Sequence, residues 1–282
     1  WGMIMNTLSE GAMKALNAGT KLGLIATVDP AGLPHITLMT SLEAKDPNHL
    51  MFGQFSSGKS KEHLRSNPLM AFVAVTLDKQ TLSGHGRYTH SVREGADYEH
   101  YNMQPMFRYN TYFGINTVHY LDLLDAADVA PLPMSRIVPA AIITRLVKGV
   151  LADGSRPQPL TQMARDLFNR LDSLKFMAYV DDSGMPQMFP VIQCQAADAG
   201  RLAFSTIAGG PQLRSIPVGT TVAVFAMNMM MESILVRGTF NGLSRRAVFQ
   251  SGTVDIDWVY NSMPPCHGQI WPEVPLEPVE SF

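Results

Sequence analysis

Val28-Asp29-Pro30-Ala31-Gly32-Leu33-Pro34 is followed 152 residues later by Val180-Asp181-Asp182-Ser183-Gly184-Met185-Pro186. Each stretch carries an aspartate, a glycine three residues on and a closing proline, the composition of a tight turn between two strands. Working outward, the same offset sets Leu22 against Leu174, Ala26 against Ala178, Ala44 against Ala196, Asp46 against Asp198, Leu50 against Leu202 and Phe52 against Phe204. The register returns at Gly86 and Gly238, with Tyr88 against Phe240. One register kept through strand, turn, strand, turn and strand defines a duplicated unit. The predicted strands follow one another directly: Leu24 to Val28, His35 to Leu42, His49 to Gln54 and Met70 to Leu77. Consecutive short strands separated by turns read as an antiparallel barrel or sandwich, the first three forming a meander.

The remaining segments read as helices and connections. Ser9 to Leu16 is a short amphipathic helix stopped by Gly19. Pro131-Leu-Pro-Met-Ser135 reads as a linker, followed by a helical stretch from Ile137 to Leu151. Leu160, Met163, Ala164, Leu167 and Leu171 recur at helical spacing and are expected to face a barrel. The expected organisation is mainly β with flanking helices (α+β): a first barrel over residues 1–130, a linker and helix over 131–158, and a second barrel over 159–282. The latter ends in a proline-rich arm from Pro264 to Phe282. The run Met227-Asn228-Met229-Met230-Met231 reads as flexible core filling.

Composition excludes several function classes. With 282 residues, 46% hydrophobic and only 16% charged, the chain can bury two ordinary cores. A formal net charge of −2 without a basic tract gives no field for nucleic acid or a membrane surface. Two cysteines, Cys194 and Cys266, are too few for a disulfide framework or a zinc cage, so a reducing, cytoplasmic setting is expected, with no metal site. Trp1-Gly-Met-Ile-Met5 has neither a basic region nor an apolar run. A start on Trp1 reads as a trimmed chain or one carrying added residues, and the chain is expected to be soluble.

The chemistry gathers in Phe52-Gly-Gln-Phe-Ser-Ser-Gly-Lys-Ser-Lys61, where a hydrophobic strand runs into the helical Lys61-Glu-His-Leu-Arg65. Backbone N–H groups, serine hydroxyls and lysines at a helix start make an anion site, most simply for a phosphate. Gly53 through Ser60 satisfies the letters of a nucleotide-binding P-loop, but that loop belongs in an alternating β-α parallel sheet, which the strand pattern opposes. The second copy has Ala208-Gly-Gly-Pro-Gln-Leu213 there, without the lysines and without the serine hydroxyls. Residues 88–120 have no close counterpart in the second copy and hold Tyr88, Tyr98, Tyr101, Tyr109, Tyr112 and Tyr120, with Phe107, Arg108, Phe113, His90, His100 and His119. Such a segment either lids a planar ligand or covers the outside of a barrel. Asp122 and Asp125 have no partner carboxylate at fixed spacing, and no triad or paired carboxylates appear, so no catalytic residue is assigned.

Gly32-Leu-Pro34-His35-Ile36-Thr37, a strand ending near Phe52, the Ser/Gly-Lys loop, a helix and then Asn67-Pro68 together resemble the pyridoxamine 5′-phosphate oxidase-like FMN-binding split barrels. The resemblance covers residues 20–90 and, in a degenerate copy, residues 172–245. It implies two tandem split barrels of the FMN-binding type and FMN as cofactor. It places the phosphate on Ser57, Gly58, Lys59, Ser60 and Lys61, and the ring edge near His35, Thr37, Met39, Thr40 and Gln54. Because such barrels pair around the flavin, it implies an internal pseudo-dimer whose second copy, through Phe189 to Gln193, walls the ring; a homodimer of tandem chains stays open. A flavin-dependent oxidoreductase using a small-molecule redox substrate or a nicotinamide donor would follow. Pyridoxamine phosphate oxidation itself is not expected, since the stretch from Glu273 to Phe282 has no arginine-rich ending. The alternatives are a haem or tetrapyrrole binder using His90 or His119, and a barrel pair without catalytic function.

Overall fold

The computed structural model describes residues 4–55, 58–104, 114–246, 249–261 and 268–275. It divides into a unit ending at Leu132 and a unit beginning at Pro133. The first contains β1 (Ile4–Met5), α1 (Glu10–Leu16), β2 (Lys21–Val28), β3 (Pro34–Leu38), β4 (Glu43–Asp46), β5 (His49–Gln54), α2 (Lys59–Ser66), β6 (Leu69–Thr76), β7 (Gln80–Val92), α3 (Ala96–Met103), β8 (Thr117–Ala127) and β9 (Ala130–Pro131). The second contains α4 (Met134–Leu151), α5 (Gln162–Asn169), β10 (Leu174–Val180), β11 (Pro186–Pro190), β12 (Gln195–Ala196), β13 (Arg201–Ser205), α6 (Gly210–Ser215), β14 (Thr221–Met227), β15 (Ser233–Arg246), β16 (Phe249–Asn261) and β17 (Gly268–Trp271).

The duplication is visible in the strand order. The first sheet runs β3-β2-β6-β7-β8-β5-β4 and the second β11-β10-β14-β15-β16-β13-β12. Counting strands from β2 and from β10, the two orders are identical, and every pairing is antiparallel. Among the described residues no ladder joins β3 to β4 or β11 to β12, so each barrel is split between its two end strands. The chain is thus two tandem split barrels, mainly β with flanking helices.

The turn that announced the repeat is built alike in both copies. The Asp29 carboxylate accepts the N–H groups of Ala31 and Leu33, both at 2.9 Å, and Asp181 accepts those of Ser183 and Met185 at 2.9 and 3.1 Å. Gly32 (φ 79°) and Gly184 (φ 81°) supply the left-handed step that closes each turn. A bulge is duplicated too, between His85 and Gly86 in β7 and between Arg237 and Gly238 in β15. Each copy has its own core. Leu16, Ile25, Leu50, Phe52, Leu64, Phe72 and Leu121 pack together in the first, and Phe168, Met177, Phe204, Leu213, Val224, Val236, Phe240 and Val254 in the second.

Three expectations are corrected. The first three strands are not a meander: β3 stops at Leu38, and β4–β5 form a hairpin at the opposite end of the sheet. The cause is a turn in which the N–H of Met39 bonds the Gly23 carbonyl at 2.7 Å and that of Leu42 bonds the Met39 carbonyl at 3.1 Å. A Cβ on Gly23 would lie 2.4 Å from the Met39 carbonyl oxygen, so only glycine permits the approach. In the helical stripe, Leu160, Ala164 and Leu167 are buried, whereas Met163 and Leu171 are exposed because α5 ends at Asn169 and presents its face through Phe168 instead. Of the methionine run, only Met227 fills core; Met229, Met230 and Met231 stand in solvent.

The helix expected within the 131–158 connection, α4, belongs to the second unit. The Gln195 amide donates to the Ala141 carbonyl at 2.8 Å, and the Thr144 hydroxyl accepts the Ser205 N–H at 2.9 Å while donating to Ala140 at 2.8 Å. α1 matches its expected position, with the Ser9 hydroxyl accepting the Ala12 N–H at 3.1 Å as N-cap.

Candidate functional site

The helix α2 follows β5 across a short connection, and its apolar and polar contacts fix it against the end of the first barrel. Ser60, His63 and Leu64, three and four residues apart, make its buried face. Leu64 enters the core. The Ser60 hydroxyl meets the Thr37 hydroxyl of β3 at 2.5 Å, and His63 Nδ1 meets the Thr27 hydroxyl of β2 at 3.1 Å. The His35 ring stands edge-on to that of His63 at 5.2 Å. The helix stops where Asn67, its N–H on the His63 carbonyl at 2.7 Å, uses its side-chain oxygen to accept the Leu69 N–H, ahead of Pro68.

At the start of α2, Gly58 is the N-cap in extended conformation and brings no side chain of its own. The Lys61 ammonium folds back over it: a Cβ built on Gly58 would lie 3.5 Å from Lys61 Nζ. Burial pushes the Lys61 ammonium down to about 8. A positive charge partly stripped of water beside a helix N-terminus, whose first N–H groups have no intrahelical partner, is an electropositive corner. Lys59 lies outside that corner, exposed and 3.3 Å from Glu62.

On the neighbouring strands, the His119 ring of β8 stacks on Phe52 at 4.8 Å with only 2% of the residue exposed. Its Nε2 donates to the Gln54 side-chain oxygen at 2.8 Å. Burial, followed by the positive charges of Lys61 and Arg65, pushes His119 down to about 4. The ring is therefore neutral near pH 7, Nε2 carries the proton, and Nδ1 presents a buried lone pair without a partner among the described residues. Gln54, His119, Lys61 and Arg65 are thus electrostatic neighbours at one end of the barrel.

The structure brings together Thr37, Gly58, Ser60 and Lys61, with His35 behind them and Gln54 reached through His119. It places Met39 in the hydrophobic core and Thr40, half-buried, in the turn that follows. Ser57 lies outside the described residues. His63 and Arg65 were missed from sequence, although Ser60-x-x-His63-Leu64 is a legible helical face. Of the two histidines considered as iron ligands, His119 has Nε2 engaged by Gln54 and Nδ1 buried, and His90 is an exposed residue stacked on Tyr120 at 4.6 Å.

The described part of the aromatic insertion covers the outside of the barrel. Tyr101 of α3 is buried with Met51, Ile115, Val118 and Tyr120, and its hydroxyl donates to the Ser41 carbonyl at 2.8 Å. Residues 105–113, with Tyr109 and Tyr112, lie outside the described residues. Around α3, Asp97 accepts from Lys45 and from the Tyr120 hydroxyl, both at 2.6 Å, and Glu43 bonds His100 at 2.9 Å and Gln104 at 2.7 Å. These pairs anchor the insertion to β4 and β8. Among the described residues no group of three or more His, Cys, Asp or Glu is placed to hold a metal, and no helix is long and apolar enough to cross a membrane.

The second copy is built differently at the same place. Its helix α6 starts from the left-handed Gly209 and buries Leu213 at the position of Lys61. A cation still lies there, since a Cβ on Gly210 would meet the Arg214 guanidinium at 3.0 Å, but Arg214 is exposed and reaches the Gln250 amide oxygen at 3.4 Å. Opposite Phe204, where His119 faces Phe52, stands Gly252.

What strand order and site define is a tandem split barrel in which, among the described residues, the first copy has a half-buried lysine at a helix start with a neutral, buried histidine near it. No family model matches the chain and no curated protein matches it. Among solved structures it is similar to an FMN-binding protein from Syntrophomonas wolfei (17% identity, 44% of this chain and 86% of that one, TM-score 0.36). It is also similar to an F420 reductase (19%, 43% and 98%, 0.35) and to a NimC/NimA family protein from Clostridium acetobutylicum (11%, 44% and 90%, 0.35). At such identities and scores the likeness carries no argument about activity, and the architecture rests on the strand order itself.

Proposed function

We propose that the chain is an FMN-binding flavoprotein and acts as a flavin-dependent oxidoreductase, with the phosphate held at Gly58, Ser60 and Lys61. The observation that carries this is Lys61. Its ammonium is desolvated and turned over the bare Gly58 at the start of an eight-residue helix. A phosphate dianion there would accept from backbone N–H groups, the Ser60 hydroxyl and Lys61, and would offset the burial that lowers the lysine. The donor set therefore suits the phosphate end of FMN. When bound, the flavin supplies hydride and electron transfer, which needs no protein nucleophile. The chain's part is to hold the phosphate with α2 and to present the neutral His119–Gln54 pair and His35 near the ring, with a small-molecule redox substrate or a nicotinamide donor as partner.

The test compares FMN with riboflavin in fluorescence titrations of the apoprotein. Replacing Lys59 and Lys61 by alanine should weaken FMN binding by about tenfold or more, the worth of one charge-assisted hydrogen bond, and leave riboflavin unaffected. Full FMN affinity in the double variant would refute the phosphate assignment.

A further inference from the structure

The two copies differ at a second bulge that both keep. In the first, Tyr88 faces Leu121 and Ser91 faces His119, so Thr89 and His90 together stand opposite Tyr120. In the second, Phe240 faces Val254 and Leu243 faces Gly252, which sets Asn241 and Gly242 opposite Thr253. Thr253 thus holds the place of Tyr120, and Gly242 that of His90. One step further along the ladder, Val92 gives way to Ser244.

The first copy fills this place from within. The Tyr120 ring stacks on His90 at 4.6 Å, the Lys45 ammonium stands 4.5 Å from its centre, and its hydroxyl donates to the Asp97 carboxylate at 2.6 Å. The second copy has no such ring, and a cavity of about 280 Å³ opens there. Val150 and Asp153 line it from the end of α4, Arg201 from β13, Asn241 and Ser244 from β15, and Thr253 from β16. A carboxylate and a cation are present again, as with Asp97 and Lys45, but the ring they would hold is missing.

The unused hydrogen-bonding capacity decides what fits. Arg201 donates to the Leu151 carbonyl at 3.0 Å, to Asp153 at 3.1 Å and, through Nε, to Asp255 at 2.5 Å, so its charge is already compensated and a charged ligand gains little. The Asn241 amide donates to the Thr253 hydroxyl at 3.1 Å. That leaves the Asn241 side-chain oxygen, the Thr253 hydroxyl proton and the Ser244 hydroxyl without partners among the described residues. Donors and acceptors side by side match alcohol groups, which do both. The first copy's own filling gives the size: one six-membered ring with a hydroxyl on a carboxylate.

We propose that this cavity of the second barrel binds a neutral, polyhydroxylated six-membered ring of the monosaccharide class, in the space that Tyr120 fills in the first. Binding is by hydrogen bonds alone, with ring carbons against Val150. A small polar ligand with few direct bonds binds in the millimolar range.

The test titrates the full chain with the methyl pyranosides of glucose, galactose and mannose, and in parallel with p-cresol, the tyrosine side chain as a free molecule, followed by backbone amide NMR signals. At least one pyranoside should give saturable shifts at Asn241, Ser244 and Thr253, while p-cresol leaves them in place. Ser244→Ala, which removes an exposed hydroxyl, should weaken that pyranoside by about tenfold. Thr253→Tyr, which restores the first copy's ring, should abolish the shifts with an unchanged melting temperature. The absence of saturable shifts with all three pyranosides would overturn the proposal. So would p-cresol binding in their place, or wild-type pyranoside affinity in both variants.

Discussion

Thr27 Oγ1 and His63 Nδ1 lie 3.1 Å apart, and 152 residues further on Tyr179 and Ser215 bring their hydroxyls together at the same 3.1 Å. The residue types have all changed, yet in both copies a strand side chain ties the helix that follows the fourth strand of the pattern. The first bond is buried and the second only partly so. Thr27→Val, which leaves the imidazole without that partner, should therefore cost about 1–3 kcal/mol, and Tyr179→Phe about 1 kcal/mol or less. Urea unfolding of the two variants measures the difference; equal losses would contradict the burial contrast.

The duplicated bulge separates Gly86 from Gly238. A Cβ on Gly238 would sit 2.0 Å from the Asp255 carbonyl oxygen, while one on Gly86 meets the Asp122 carbonyl at 3.4 Å, an ordinary contact. Gly238→Ala must move backbone and should destabilise its unit by more than about 2 kcal/mol, while Gly86→Ala stays within about 1 kcal/mol. Thermal melts of both decide it.

His119 makes stability depend on pH in a definite direction. Its folded value of about 4 lies below the ordinary 6.5, so between them the unfolded chain binds the proton and the folded chain does not. The stability is complete above about pH 6.5 and is lost as pH falls towards 4, by roughly 3 kcal/mol at most. His119→Phe, which preserves a ring against Phe52, should flatten that part of the wild-type pH–stability curve. A slope unchanged by the substitution would exclude His119 as its source.

Lys61 predicts the opposite dependence for ligand affinity. Its free value is about 8, and an anion binds the charged form. Affinity for FMN should be level with respect to Lys61 below pH 8 and fall above it by up to about tenfold per unit, while Lys61→Gln is weaker and flat through that range. Titrations from pH 7 to 10 test this, with riboflavin as the control.

Much of this was legible in the sequence, because turns and glycines repeat their letters. The Asp29 and Asp181 turns, the recurrence of Gly86 at Gly238 and the loop leading into α2 were all visible there. The helical spacing of Ser60, His63 and Leu64 could have disclosed the buried face of α2. The pairing of His119 with Gln54 could not be read, since it joins residues 65 apart through the register of β5 on β8. The position of β4 was hidden for a similar reason: it turns on the absence of a side chain at Gly23. The exposed methionines were misread because hydrophobicity reports what a residue prefers, and the turn around Asn228 decides where it goes.

The two outermost strands, β3 and β11, carry proline at their ends, Pro34 in one and Pro186 and Pro190 in the other. At the opposite borders β4 has four residues and β12 only two, with α4 and α5 packed against β12. A passing polypeptide seeking to add itself to either sheet finds few amides to pair with and little length to follow. Two open barrels in one chain can thus stay clear of fibre-like stacking at high cellular concentration without being sealed shut.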